Sequence, residues 1–101
     1  MYMIREVFRA QRGTAPALMA GLKTMNQALL TQAGFSQGKI YADMSGPMDT
    51  IIWEFEAESL DQFFQLERGF FVHPDTATQQ VIATMNGGAV EGRREIYEVI
   101  V

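Results

Sequence analysis

The sequence contains no cysteine and only one histidine among its 101 residues. Without cysteine the chain can form no disulfide, thiolate metal site or iron–sulfur cluster, and it lacks a cysteine nucleophile. A single histidine would leave carboxylates to supply every other ligand of a zinc or copper site. We therefore predict no metal site and no cofactor.

Basic residues are also few, with eight Lys and Arg against twelve Asp and Glu, for a net charge of −4. Nucleic-acid-binding proteins need a basic patch that displaces counterions, so no nucleic-acid partner is expected. No apolar run approaches the roughly 20 residues needed to cross a bilayer. The first 13 residues carry charges within a strand-like alternation, unlike a signal peptide. We expect a cytoplasmic protein with no membrane partner.

Several motifs of well-known enzyme classes are missing. The chain has no glycine-rich phosphate loop, no dinucleotide-binding fingerprint, no G-x-S-x-G elbow and no H-E-x-x-H pair. Nucleotide-dependent enzymes, serine hydrolases of the elbow type and zincins are therefore disfavoured.

The hydrophobic pattern predicts one domain, residues 1–101, because a chain of this length builds a single core. Alternation of apolar and polar residues predicts strands over 2–11, 35–44, 49–57 and 93–101. Three- and four-residue spacing predicts a helix from Thr14 to Gly34, a second from the Ser59 and Gln62 capping box, and a further short helix from Asp75.

This βαββαβ order predicts an α+β, ferredoxin-like fold, a four-stranded antiparallel sheet with its helices on one face. The strand over 49–57 has one wholly apolar face, formed by Ile51, Trp53, Phe55 and Ala57, which predicts a central position.

The sheet face away from the helices is predicted to carry Ile52 and an apolar set from the last strand. A second copy of the chain is the simplest cover, so a homodimer through the sheet face, a dimeric α/β barrel, is predicted. Arg5 and Arg9 are then expected to pair with Glu54 and Glu56 in that layer. The alternative is a monomer with some apolar residues exposed.

The run DTIIWEFEAESLDQF, the opening strand that ends at Gly13 and the helix from Thr14 resemble the dimeric α/β-barrel superfamily. Within it the chain resembles small NIPSNAP-like and antibiotic-biosynthesis-monooxygenase-like proteins. That superfamily includes cofactor-free monooxygenases, haem-degrading enzymes, isomerases, dehalogenase-like proteins and members of no known activity, so the resemblance implies a fold rather than a reaction. The first strand lacks the asparagine of the haem-degrading members, which disfavours that activity.

Glu6 is a candidate general acid or base, because its strand face otherwise shows Ile4 and Phe8. A carboxylate beside the helices would be costly to bury and its pKa would rise. The alternative is that the two faces are exchanged and Arg5 points inward. Glu67, at the edge of the second helix, is either solvated or paired with Arg68 or Arg94.

His73, beside Pro74 after the second helix, is the natural proton shuttle, since histidine titrates near neutrality. The resemblance implies that a pocket opens in this region. The alternative is a solvated loop histidine.

An aromatic-rich set is predicted to line a pocket for a small hydrophobic or aromatic molecule between sheet and helices. Its members are Phe8, Met25, Tyr41, Trp53, Phe55 and Phe63. The alternative is that they form plain core.

The sequence is compatible with two functions. The first is a dimeric barrel that binds a small hydrophobic molecule, with monooxygenase-like or isomerase-like chemistry as an extension in which Glu6 and His73 move protons. The second is a non-catalytic dimerising domain. A cavity that reaches Glu6 or His73 would favour the first function.

Overall fold

The computed structural model describes residues 1–72 and 74–101, which form one four-stranded antiparallel sheet with helices on one face. The strands are β1 (Tyr2–Ala10), β2 (Lys39–Ala42), β3 (Thr50–Ala57) and β4 (Ala89–Glu98). The helices are α1 (Ala15–Thr24), a π-helical segment (Met25–Leu29), α2 (Leu30–Gln32), α3 (Leu60–Val72) and α4 (Thr76–Gly88). The strand order β2-β3-β1-β4 is that of the ferredoxin-like fold, so the predicted fold class is confirmed.

Two predicted helix starts are confirmed by their capping hydrogen bonds. The Ser59 hydroxyl accepts the Gln62 backbone N–H at 3.1 Å, and the Gln62 side chain accepts the Glu58 backbone N–H at 3.0 Å. The Asp75 carboxylate accepts the Thr78 backbone N–H at 2.7 Å. Each cap satisfies backbone donors that the first helical turn leaves free.

The bounds of two strands differ from their prediction by more than one residue. β2 covers only four residues. It starts after Gly38, whose backbone groups bond the Asn26 side chain, and it ends where Asp43 Oδ1 accepts the N–H groups of Ser45 and Gly46. β4 starts at Ala89 instead of 93, directly after α4, and pairs with β1 as far as Ala10. The glycines at 87 and 88 therefore belong to the helix end and not to a separate loop.

The core lies between the sheet and the helices. Its fully buried side chains are Ile4, Leu18, Leu22, Leu30 and Ile51. The apolar face predicted for β3 is confirmed, because every one of its four residues is at most 4% exposed. β3 lies between β2 and β1, as a strand with a wholly buried face requires.

The other sheet face, called here the open face, is covered by no helix of the described residues and carries cross-strand ion pairs. Arg5 Nη2 lies 2.8 Å from Glu54 Oε2, which confirms that predicted pair. Arg9 instead bonds Glu91 at 3.2 Å, so its predicted pairing with Glu54 or Glu56 is wrong. The reason is register, since Arg9 stands opposite Glu91 on the adjacent β4.

The open face is also more charged than predicted. On β4, Arg93 and Glu95 share this face with Tyr97 and bond each other at 3.1 Å. The apolar set predicted for the last strand is thus reduced, because β4 ends at Glu98 and the apolar C-terminal residues follow it. Val7 and Ile52 form the apolar centre of the open face. No helix in the described part of the chain has the length and apolar character to span a membrane.

Candidate active site

Glu6 points from β1 toward the helices, so the alternative in which Arg5 points inward does not hold. Its neighbours in the sheet are Trp53 on β3 and Arg94 on β4, each directly opposite. The Glu6 side chain is 14% exposed. Strand parity thus places a carboxylate on the face that otherwise forms the core.

Arg94 links two carboxylates at this position. Its Nε donates to Glu6 Oε1 at 2.7 Å, and its Nη2 lies 2.7 Å from Glu67 Oε1. The guanidinium carbon also lies 4.9 Å from the ring centroid of Phe63, a cation–π geometry. Of the alternatives considered for Glu67, the structure shows the pairing with Arg94. We call Glu6, Glu67 and Arg94 the charged triad.

Burial raises the pKa of the Glu6 carboxyl above its ordinary value. The hydrogen bond and the positive charge of Arg94 oppose that rise, whereas the negative charge of Glu67 adds to it. A carboxyl group whose pKa is raised in a partly enclosed site has the property that a general acid or base needs.

A cavity of about 160 Å³ lies beside the charged triad, between the sheet and the helices. Apart from the triad, it is lined by Phe8, Met25, Trp53, Phe55, Phe63, Leu66, Phe70 and Met85. Five of the six residues predicted to line a pocket are therefore brought together, and Glu6 lies with them. Ligand sites are typically of this kind, apolar walls with a few convergent polar groups.

Tyr41 does not line this cavity. It stands opposite Ile52 in the register of β2 and β3, so its side chain lies on the open face. Its hydroxyl is 3.4 Å from Glu54 Oε1. His73 lies outside the described residues.

A second, larger hollow of about 390 Å³ lies on the open face and includes Arg9, Glu91 and Arg93. Its charged rim is exposed, and it contains none of the predicted site residues. Within residues 1–72 and 74–101 no three metal-ligating side chains come together.

Asn26 fixes the cavity wall in a way that no sequence motif indicated. Its Oδ1 accepts the Trp53 Nε1–H at 3.0 Å and the Gly38 N–H at 2.7 Å. Its Nδ2 donates to the Gly38 carbonyl at 3.0 Å. Asn26 lies in the π-helical segment, a feature often found at functional sites. A polar residue inside an otherwise apolar helix stripe was the available signal.

Comparison with known proteins shows similarity of fold alone. No family model and no curated protein matches the chain. Among solved structures, protein Atu4242 from Agrobacterium tumefaciens has a TM-score of 0.79 at 13% identity, over 97% of this chain and 92% of that one. An uncharacterized NIPSNAP domain protein from Burkholderia xenovorans has a TM-score of 0.76 at 10% identity, over 100% and 96%.

A third structure comes from Deinococcus radiodurans and is provisionally named an antibiotic biosynthesis monooxygenase. Its TM-score is 0.74 at 16% identity, over 98% of this chain and 92% of that one. The chain has the fold of NIPSNAP and antibiotic-biosynthesis-monooxygenase structures. The resemblance seen in the sequence is thus confirmed at the level of the fold, and identities this low carry no reaction with them.

Proposed function

We propose that the protein binds a small apolar or aromatic molecule in the cavity between the sheet and the helices. The observation that carries this proposal is the aromatic cavity beside the charged triad. A wall built only to fill the core would not place an ion-paired carboxylate against it, because burying charge is costly.

A second candidate function is catalysis at the same site, of the cofactor-independent monooxygenase-like or isomerase-like kind. The specific observation in its favour is Glu6, whose pKa is raised by burial while one oxygen remains bonded to Arg94. In this function Glu6 takes a proton from the bound molecule or returns one to it. The remaining alternative is a non-catalytic dimerising domain.

Thermal unfolding with a panel of apolar and aromatic compounds tests the binding proposal. A ligand at about a hundred times its dissociation constant adds roughly 2.7 kcal/mol of stability, which is readily seen for a domain of this size. Trp53→Leu and Glu6→Gln should reduce the shift. No shift across the panel, together with no oxygen consumption, would leave only the non-catalytic dimerising domain. Oxygen consumption with a bound compound would indicate monooxygenase-like catalysis in addition to binding.

We also propose that a second copy of the chain covers the open face. On this face Tyr41 is 40% exposed, Tyr97 is 51% exposed and Ile52 is half-buried, and no helix of the described residues packs on them. Acidic and basic side chains alternate around this apolar centre, a pattern that can complement itself about a two-fold axis.

Sedimentation at low micromolar concentration tests this assembly. We expect a particle of twice the 11.3 kDa chain mass, and Ile52→Glu should convert it to the monomer. Val72→Glu is the matched control, because Val72 is 62% exposed at the end of α3, away from the open face. A wild-type particle of single-chain mass would contradict the proposal.

A further inference from the structure

The charge balance of the cavity is negative. Of the described residues that line it, the charged ones are Glu6, Glu67 and Arg94, two acids and one base. Arg94 bonds one oxygen of each carboxylate. No described residue donates a hydrogen bond to the second oxygen of either acid, so both remain available as acceptors.

The volume of the cavity is that of a single aromatic ring. Its volume of about 160 Å³ is close to that of an engineered cavity of roughly 150 Å³ that holds one benzene molecule. A single aromatic ring therefore matches the volume of the cavity.

The aromatic wall favours a cation. The ring centroids of Trp53 and Phe55 are 4.9 Å apart, and those of Phe55 and Phe63 are 6.0 Å apart. Aromatic faces carry partial negative charge and attract cations. The guanidinium of Arg94 over Phe63 shows that this wall already accepts one cation.

From these three properties we propose that the cavity selects a single-ring aromatic molecule that carries an ammonium group. The ring lies against Trp53 and Phe55, and the ammonium group donates to the available oxygens of Glu6 and Glu67. A ring with a carboxylate is disfavoured, because it would add a third anion around one guanidinium. This selectivity rests on the proposed function, since it assumes that the cavity binds a ligand.

Three probes of one size and different charge test the selectivity: benzylammonium, benzyl alcohol and benzoate. Trp53 is the only tryptophan of the chain, so its fluorescence reports binding at the cavity wall. At neutral pH we expect benzylammonium to bind about tenfold more tightly than benzyl alcohol, because a hydrogen bond to a charged group is worth about that factor. Benzoate should bind most weakly.

The outcomes separate the two proposals. Equal binding of all three probes, or tightest binding of benzoate, overturns the charge selectivity and leaves the binding function standing. No binding of any probe overturns the ammonium selectivity, and together with no thermal shift across the panel of compounds it overturns the binding proposal as well. These comparisons use the wild-type protein, so they do not depend on whether a variant folds.

A pair of variants locates the selectivity at the triad. Glu67→Gln should weaken benzylammonium binding by about tenfold and leave benzyl alcohol binding nearly unchanged. Glu91→Gln is the control, because it removes the same charge from the open face and should leave the ratio of the two affinities unaltered. An equal decrease in the ratio of benzylammonium affinity to benzyl alcohol affinity in both variants would overturn the assignment of the selectivity to the charged triad.

Discussion

Arg94 and Glu6 stand directly opposite each other on β4 and β1, and Arg94 Nε lies 2.7 Å from Glu6 Oε1. The pairing of the two strands thus supplies a base to the carboxylate that β1 turns toward the core. A buried carboxylate without such a partner would be protonated or would destabilise the fold. This contact therefore makes it possible for the cavity to keep a charged group at its edge.

Replacement of Arg94 by methionine should destabilise the protein. The variant leaves Glu6 and Glu67 beside apolar rings without a cation, and we expect a loss of about 2 kcal/mol in the free energy of unfolding. Urea unfolding followed by Trp53 fluorescence measures this loss.

The matched control is the double variant Arg94→Met with Glu6→Gln. Because it removes one of the two acids that lose their partner, it should recover part of the stability lost in Arg94→Met. Equal stabilities of the two variants would show that Glu6 does not depend on Arg94.

The raised pKa of Glu6 gives its contribution to stability a definite sign with pH. Above the ordinary value of 4.5 the unfolded state loses the Glu6 proton first, while the folded state still holds it. The contribution is therefore fully present below 4.5 and is lost as the pH rises through the folded pKa. We expect the difference in unfolding free energy between wild type and Glu6→Gln to fall over that window, as measured by urea titrations at a series of pH values.

Asp75 provides the opposite case. Hydrogen bonds from Thr78 lower the pKa of the Asp75 carboxyl, so its contribution is present above the ordinary value of 3.8 and is lost as the pH falls through the folded pKa. Asp75→Asn keeps a capping side chain and removes the titration. The difference in unfolding free energy between wild type and Asp75→Asn should therefore rise with pH, whereas the difference between wild type and Glu6→Gln should fall. If both differences change with pH in the same direction, the interpretation of Glu6 is wrong.

The sequence was sufficient for the fold because local signals and long-range pattern agree. The Ser59 and Asp75 caps fix two helix starts, and the apolar face of β3 fixes a central strand with helices over it. Each of these signals depends on residue spacing alone. Strand parity placed Glu6 and Phe8 on one face of β1 but left open whether that face or the one with Arg5 points to the helices.

Contacts between strands distant in sequence could not be predicted in the same way. The partner of Arg9 depends on which residue of β4 stands opposite it, and a shift of one residue changes every pair. Tyr41 was assigned to the pocket by residue type, although its parity in β2 places it on the open face. The three bonds of Asn26 depend on how the π-helical segment meets the chain before β2.

Replacement of Asn26 by leucine should disturb Trp53 specifically. The variant leaves the Trp53 Nε1–H and both backbone groups of Gly38 without their partner, which we expect to cost about 2 to 4 kcal/mol. The emission of Trp53 should shift, because its indole loses a hydrogen bond.

Asn26→Asp is the milder comparison, since its carboxylate still accepts from Trp53 and from the Gly38 N–H but cannot donate to the Gly38 carbonyl. We expect an intermediate loss of stability and an emission spectrum near that of wild type. A leucine variant with unchanged emission would show that Asn26 does not position the indole.

Gly38 is expected to tolerate no side chain. A Cβ at this position would overlap the carbonyl oxygen of Glu54 and lie 2.8 Å from Phe55 Cβ, so the chain before β2 would have to move away from β3. Gly38→Ala should therefore cost at least about 2 kcal/mol and also weaken the bonds to Asn26. Gly69→Ala is the control, because nothing lies within 4 Å of a Cβ there and alanine favours the helix by about 0.5 to 1 kcal/mol. The midpoint of urea unfolding should fall for Gly38→Ala and rise for Gly69→Ala. Destabilisation by both variants to the same extent would contradict the close approach of the chain at Gly38.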